Sequence, residues 1–273
     1  MKEQVVVITG AAGGIGRAIA EQFVATYGSD ALYITLLDHT KAYVQLKELH
    51  RELHDLFPLS TRNVNCEIKT WDLDVTDLAA VSDGLQSIAS DCGGISVLVN
   101  AAGIMPKDAM QTLAKVTEQN FLSMRRVMDV NFWGTLHCCH AVLPYMRRAG
   151  YGRIVNIASV EGLKGDVGNL AYAASKAAVL SLTKTLACEA PFNKNRDEPA
   201  LDITVNAVAP GIVETPMTTD LSDAALASYL ARNPQRRKIQ PAEIAQTVLW
   251  LASKEASAIN GACLPVDGGY LVS

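Results

Sequence analysis

The 273-residue sequence lacks any run approaching the roughly 20 consecutive apolar residues that a bilayer-spanning helix needs, so no membrane span is expected. It lacks a basic excess: 24 Lys and Arg face 28 Asp and Glu, which leaves no electrostatic footprint for nucleic acid. A secretory leader is not expected either, because Gly10 ends the opening run Val5-Val6-Val7-Ile8-Thr9 at once. The six cysteines (Cys66, Cys92, Cys138, Cys139, Cys188, Cys263) are scattered in a chain long enough to fold without staples. Free thiols and a cytoplasmic location are therefore expected. Internal repeats and low-complexity tracts are missing too, so local motifs must carry any functional reading. Apolar material is plentiful: 49% hydrophobic and 19% charged residues can bury a sizeable core and exclude global disorder.

Short β-rich apolar runs alternate with longer segments of helical period. Strands are predicted at Val5–Thr9, Leu32–Leu37, Cys66–Leu73, Val97–Asn100, Ile154–Ile157, Ile203–Val208 and Ala262–Val266. Helices are predicted at Ile15–Tyr27, Lys41–Phe57, Leu78–Ser90, Arg125–Arg148, Tyr172–Glu189 and Pro241–Leu251. Parallel neighbours need right-handed crossovers, so the expected α/β fold is a doubly wound, Rossmann-type parallel sheet of seven strands with helices on both faces. The polar, proline-bracketed stretch Pro191–Pro199 reads as a surface loop, and residues 1–273 as one domain.

The first strand runs into Thr9-Gly10-Ala11-Ala12-Gly13-Gly14-Ile15-Gly16, and a helix follows. Glycines let the main chain approach a ligand, and a helix N-terminus offers free N–H donors and a positive dipole end. A glycine turn between a first strand and a helix is the context of a dinucleotide site. Asp38, at the end of the second predicted strand, stands where a carboxylate accepts from the adenosine ribose hydroxyls. It would repel the extra phosphate of NADP, and His39 and Thr40, rather than Arg or Lys, follow it. NAD is the expected cofactor, NADP the less favoured one.

Tyr172 and Lys176 lie one helical turn apart near the start of a predicted helix and so share a face. A neighbouring ammonium favours the phenolate, which opens general acid–base chemistry to the tyrosine. Ser159, upstream of both, ends a predicted strand at the carboxyl edge where such sheets bind ligands. His137-Cys138-Cys139-His140 is read as packing, not a metal site, since adjacent cysteines cannot both join the histidines around one helix. His50 and His54 are read as a solvated face opposite the stripe Leu46, Leu49, Leu53 and Leu56.

Together these residues resemble the short-chain dehydrogenase/reductase family. The likeness runs nearly end to end, through the glycine turn, Asp74-Val75, Asn100-Ala101-Ala102-Gly103, Asn131, Ser159, Tyr172 with Lys176, Pro210-Gly211 and Asp267-Gly268-Gly269. The resemblance implies hydride exchange between the cofactor and a secondary alcohol or ketone. In it Tyr172 is the acid/base, Lys176 lowers the Tyr172 pKa and holds the nicotinamide ribose, and Ser159 bonds the substrate oxygen. Asn131 supports a water linking Lys176 to solvent. Cofactor contacts are implied for Gly10, Gly14, Ile15, Gly16, Asp38, Asp74, Val75, Asn100, Ala101, Gly103, Tyr172, Lys176, Pro210, Gly211, Val213 and Thr215. Met105, Ser159, Val160, Glu161, Leu163 and Met217 are the expected substrate walls, and residues 214–240 the substrate loop. A homotetramer is implied as well. Departures are Ala101 in place of a second Asn and the longer segments Lys107–Arg126 and Pro191–Asp202. The rival activities are an NADP-linked 3-ketoacyl thioester reductase, which Asp38 disfavours, and a non-catalytic dinucleotide-sensing scaffold.

Overall fold

Seven parallel strands are covered by helices on both faces, which is why most of their sequences are apolar almost throughout, the edge strand Cys66–Asp72 excepted. The computed structural model describes residues 4–27, 32–56, 66–105, 112–193, 199–219 and 221–273, without the side chains of Leu56 and Cys66. The strands are β1 (Gln4–Thr9), β2 (Leu32–Asp38), β3 (Cys66–Asp72), β4 (Val97–Asn100), β5 (Tyr151–Ile157), β6 (Asp202–Pro210) and β7 (Cys263–Val266). Their order is β3-β2-β1-β4-β5-β6-β7, so the chain reverses direction across the sheet between β1 and β4. That switch opens a crevice at the carboxyl ends of the strands.

One face carries α1 (Gly14–Tyr27), α2 (Tyr43–Leu56) and α9 (Pro241–Leu251), packed around Ile8, Phe23, Leu36, Leu49 and Val248. The other face carries α3 (Leu78–Asp91) and α5 (Thr135–Ala149), around Val7, Leu85, Leu98, Cys138 and Val142. The buried cysteines and leucines thus pack as expected, although Leu56 of the predicted stripe lies outside the described side chains. Arg153 of β5 is wholly buried, bonded to the Ser253, Gly152 and Asp202 carbonyls and paired with the Asp202 carboxylate. Among the described residues no helix is long and apolar enough to cross a membrane.

The helix predicted over Arg125–Arg148 is a correction. It is three pieces: α4 (Glu118–Met128), a π-helical turn at Asp129–Gly134, and α5. Thr117 caps α4 and shares a capping box with Asn120, which accounts for most of the longer segment between 107 and 126. Residues 107–111 of that segment, and 194–198 of the segment 191–202, lie outside the described residues. Two more helices, α7 (Pro216–Thr219) and α8 (Asp223–Arg232), fall within 214–240, and α6 (Leu170–Glu189) begins just before Tyr172.

Candidate active site

The turn after β1 is shaped by close backbone approaches. Gly10 has φ of +65°, and a Cβ on it would lie 2.6 Å from the Ala102 nitrogen. A Cβ on Gly16 would lie 2.2 Å from the Gly10 oxygen. The turn is thereby pressed against the exit of β4, and the first-turn N–H groups of Gly14, Ile15 and Gly16 have no acceptor within α1. Free donors at a positive helix end fit the pyrophosphate of a dinucleotide. Asp38 is tied to this turn: one oxygen accepts from Ala12 N–H and the other from His39 N–H, both at 2.8 Å. Burial raises the Asp38 pKa despite those two bonds.

Asp74 and Val75 follow β3. Burial alone would raise the Asp74 pKa, yet bonds from Thr76 and from Arg126 at 3.2 Å outweigh it and hold the carboxyl below its usual range. Val75 is buried, and its carbonyl meets His137 Nδ1 at 3.0 Å, so that histidine serves a contact between α5 and the turn after β3. The Asn100 side chain faces the core, donating to Asn156 at 2.9 Å and to Cys139 Sγ at 3.3 Å.

The π turn aims Asn131 inward. Its amide oxygen accepts from Ile104 N–H at 2.8 Å, and its NH₂ donates to the Ile104 carbonyl at 3.1 Å and to Ser175 Oγ at 3.0 Å. Wholly buried, it ties the segment after β4 to α6. Gly103 packs beside it, and a Cβ there would lie 3.4 Å from both Asn131 Oδ1 and Lys176 Nζ. Lys176 donates to the Ile157 carbonyl at 2.7 Å, and burial lowers its pKa to about 8.

A cavity of about 300 Å³ lies at the carboxyl ends of β4, β5 and β6. Ser159, Tyr172 and Lys176 line it together. Of the expected cofactor residues its lining also contains Ile15, Ala101, Gly103, Pro210, Gly211, Val213 and Thr215, and of the expected substrate residues Met105, Val160, Glu161 and Met217. Leu163 does not line it and is 47% exposed. Gly10, Gly14, Gly16, Asp38, Asp74, Val75, Asn100 and Asn131 lie outside the cavity. The turn after β6 nevertheless reaches Gly14, where a Cβ would meet Thr215 Cγ2 at 2.7 Å.

One electrostatic expectation is reversed. The Tyr172 pKa is raised above that of a free phenol, by burial first and then by the Glu161 carboxylate, against a bond with Ser159 that lowers it. Lys176 Nζ sits 5.8 Å from the ring centre and spends its bond on Ile157, so it does not offset the burial here. Several lining residues are not singled out by the sequence reading, among them Asp166, Asn169 and Tyr270, while Tyr229 and Arg232 come from within the expected substrate loop. Tyr229 and Tyr270 stack at 4.5 Å, with Arg232 over the Tyr270 ring at 5.0 Å. Tyr270 directly follows the Asp267-Gly268-Gly269 motif, and Tyr229 and Arg232 lie in the segment 214–240. Pairing stacked aromatics so far apart along the chain needs the fold.

Residues 10–271 match a family model described as enoyl-(acyl carrier protein) reductase. The chain is 35% identical over 272 residues to the 3-oxoacyl-[acyl-carrier-protein] reductase of Thermotoga maritima, covering 100% of this chain and 99% of that one. It is 34% identical over 273 residues to the cyclopentanol dehydrogenase of a Comamonas species, covering 99% and 98%. A 3-oxoacyl-[acyl-carrier protein] reductase structure from Brucella melitensis with bound NAD superposes with a TM-score of 0.79 at 33% identity, over 98% of this chain and 92% of that one. Since these matches run from the glycine turn to the C-terminal strand and leave almost none of either partner unaligned, the chain belongs to the short-chain dehydrogenase/reductase family and is an NAD(P)-dependent oxidoreductase of secondary alcohols and ketones.

Proposed function

We propose that the protein is an NAD-dependent dehydrogenase of a small secondary alcohol, with Tyr172 as its general acid/base. The observation that carries this reading is the shared cavity wall of Ser159, Tyr172 and Lys176 beside the glycine turn. The N–H groups of Gly14, Ile15 and Gly16 hold the pyrophosphate. Asp38 takes the adenosine ribose, Asp74 and Val75 the adenine, and Asn100, Ala101 and Gly103 the edge between β1 and β4. Pro210, Gly211, Val213 and Thr215 flank the nicotinamide, which when bound supplies the hydride chemistry.

Ser159 Oγ bonds the substrate oxygen and fixes it against Tyr172 Oη. In ketone reduction the neutral Tyr172 hydroxyl donates its proton to that oxygen as negative charge develops there. In alcohol oxidation the Tyr172 phenolate takes the proton of the substrate hydroxyl, and the raised Tyr172 pKa opposes forming that phenolate, so oxidation should quicken as pH rises. Asn131 keeps Ser175 and the Ile104 backbone in register, so that Lys176 and Tyr172 are presented from one helix face. The 214–240 segment, whose α8 buries only Tyr229, acts as the substrate loop over this site. The exposed apolar side chains on α4 and the π turn fit a homotetramer.

The test is steady-state turnover over a panel of secondary alcohols and ketones with each cofactor. We expect kcat/KM with NAD to exceed that with NADP at least tenfold, and Tyr172→Phe to abolish turnover while NADH binding is retained. Undiminished turnover in Tyr172→Phe would sink the mechanism. The likeness to 3-oxoacyl reductases supports a second reading, an NADPH-linked 3-ketoacyl thioester reductase. A preference for NADPH and an acyl thioester in the same assay selects it.

A further inference from the structure

The turn that follows Ser159 and the start of α6 carry two buried acceptors with no partner among the described residues: Glu161 Oε2 and Asn169 Oδ1. Both residues line the cavity, and they are joined to each other by one bond, Asn169 Nδ2 to Glu161 Oε1 at 3.1 Å. That bond fixes the amide orientation, because the reverse would set two acceptor oxygens against each other. Glu161 is held close to the reacting group: its own N–H donates to Ser159 Oγ at 3.2 Å, and its carboxylate contributes to the raised Tyr172 pKa. Buried acceptors left open in this way cost free energy unless a donor meets them.

We propose that Glu161 and Asn169 form a hydroxyl-recognition subsite, so that the substrate is a hydroxylated alcohol or ketone with at least one free hydroxyl besides the reacting one. This rests on the dehydrogenase reading above and narrows its substrate class. Asn169 Oδ1 accepts only, and Glu161 Oε2 accepts when the carboxyl is ionised, so both suit a substrate hydroxyl, and a plain alkanol leaves both unmet. An ammonium group would also donate, but Lys176 and Arg232 line the cavity together with Glu161 and Asp166, so no excess of negative charge draws a cation there. Neutral hydroxyls suit a site that contains both signs. A site built to bond a substrate hydroxyl rejects the analogue without it far more strongly than an apolar pocket rejects a missing methylene.

The test compares cyclohexanol, trans-1,2-cyclohexanediol and trans-2-aminocyclohexanol as substrates with NAD. The readout is the ratio of their kcat/KM values within each variant, so that a general loss of activity cancels. The diol should exceed cyclohexanol at least tenfold in the wild type, with the ratio falling to near one in Glu161→Leu and to an intermediate value in Glu161→Gln. A wild-type ratio near one, or an unchanged ratio in Glu161→Leu, overturns the subsite and leaves the dehydrogenase reading intact. The amino alcohol proving best of the three also overturns it, in favour of a cation site. If none of the three is oxidised, the dehydrogenase reading loses support, and the subsite is then decided by calorimetry on the NAD-loaded protein. Tighter binding of the diol than of cyclohexanol, lost in Glu161→Leu, upholds it, and equal binding overturns it.

Discussion

Glu161 shows how one side chain links the site to the stability of the whole chain. Burial first, then the nearby Asp166 carboxylate, push its pKa up to about 7, and the bond from Asn169 only partly opposes this. A carboxyl that binds its proton more tightly folded than unfolded favours the native state at low pH. That advantage is complete below the unfolded value near 4.5 and is lost as pH rises through about 7. Glu161→Gln, which has no proton to lose, should therefore match the wild type at pH 4.5 and be more stable at pH 8 by about 2–3 kcal/mol. Urea midpoints at the two pH values measure this, and a variant less stable at pH 8 than the wild type contradicts the sign. Ser159, Tyr172 and Lys176 are legible as a motif because helical spacing and a strand end suffice to bring them together. The Asn169 contact with Glu161 is not, because it depends on how the chain turns between β5 and α6.

At the scale of elements, most strands are legible because burial on both faces demands largely apolar runs, with buried exceptions such as Arg153, Asn156 and Asn206 held by hydrogen bonds. The π turn is not, because one extra residue in a helical turn leaves the apolar period of its flanks almost unchanged. α4 is faint for another reason: it buries only Met124 and Val127, too few to draw a stripe. The turn has a geometric consequence at its last residue, Gly134. Its φ of −58° suits any residue, yet a Cβ would lie 2.5 Å from Val75 Cγ2 and 3.0 Å from Val75 Cβ. A short branched side chain cannot swing away from such contacts. Gly134→Ala should thus cost about 1–3 kcal/mol through overpacking, against a small gain in helix propensity, and should weaken NADH binding by displacing Val75. Urea unfolding and fluorescence titration with NADH report the two effects. A stabilised variant with unchanged affinity would show that α5 and the turn after β3 are not locked together.

For the whole molecule, the sheet order brings residues from the length of the chain to one edge, while the helices that cover it leave apolar surface unspent. Phe121 and Leu122 of α4 are 52% and 67% exposed, and Trp133 in the π turn is 47% exposed. Two large aromatics and a leucine in one short stretch, set on the helices that support Asn131, are costly to leave in water. A homotetramer that covered these helices would remove the cost and brace the π turn from outside, so that assembly and site geometry would reinforce each other. Sedimentation equilibrium should therefore give a tetramer, and Phe121→Asp with Leu122→Asp should shift it to smaller species by placing charges in an apolar contact. With such bracing the dissociated variant should lose turnover more than it loses NADH binding, because α6, which carries the proposed acid/base Tyr172, leans on Asn131 whereas the glycine turn does not. A monomeric wild type, or a dissociated variant with full turnover, breaks that connection between assembly and catalysis.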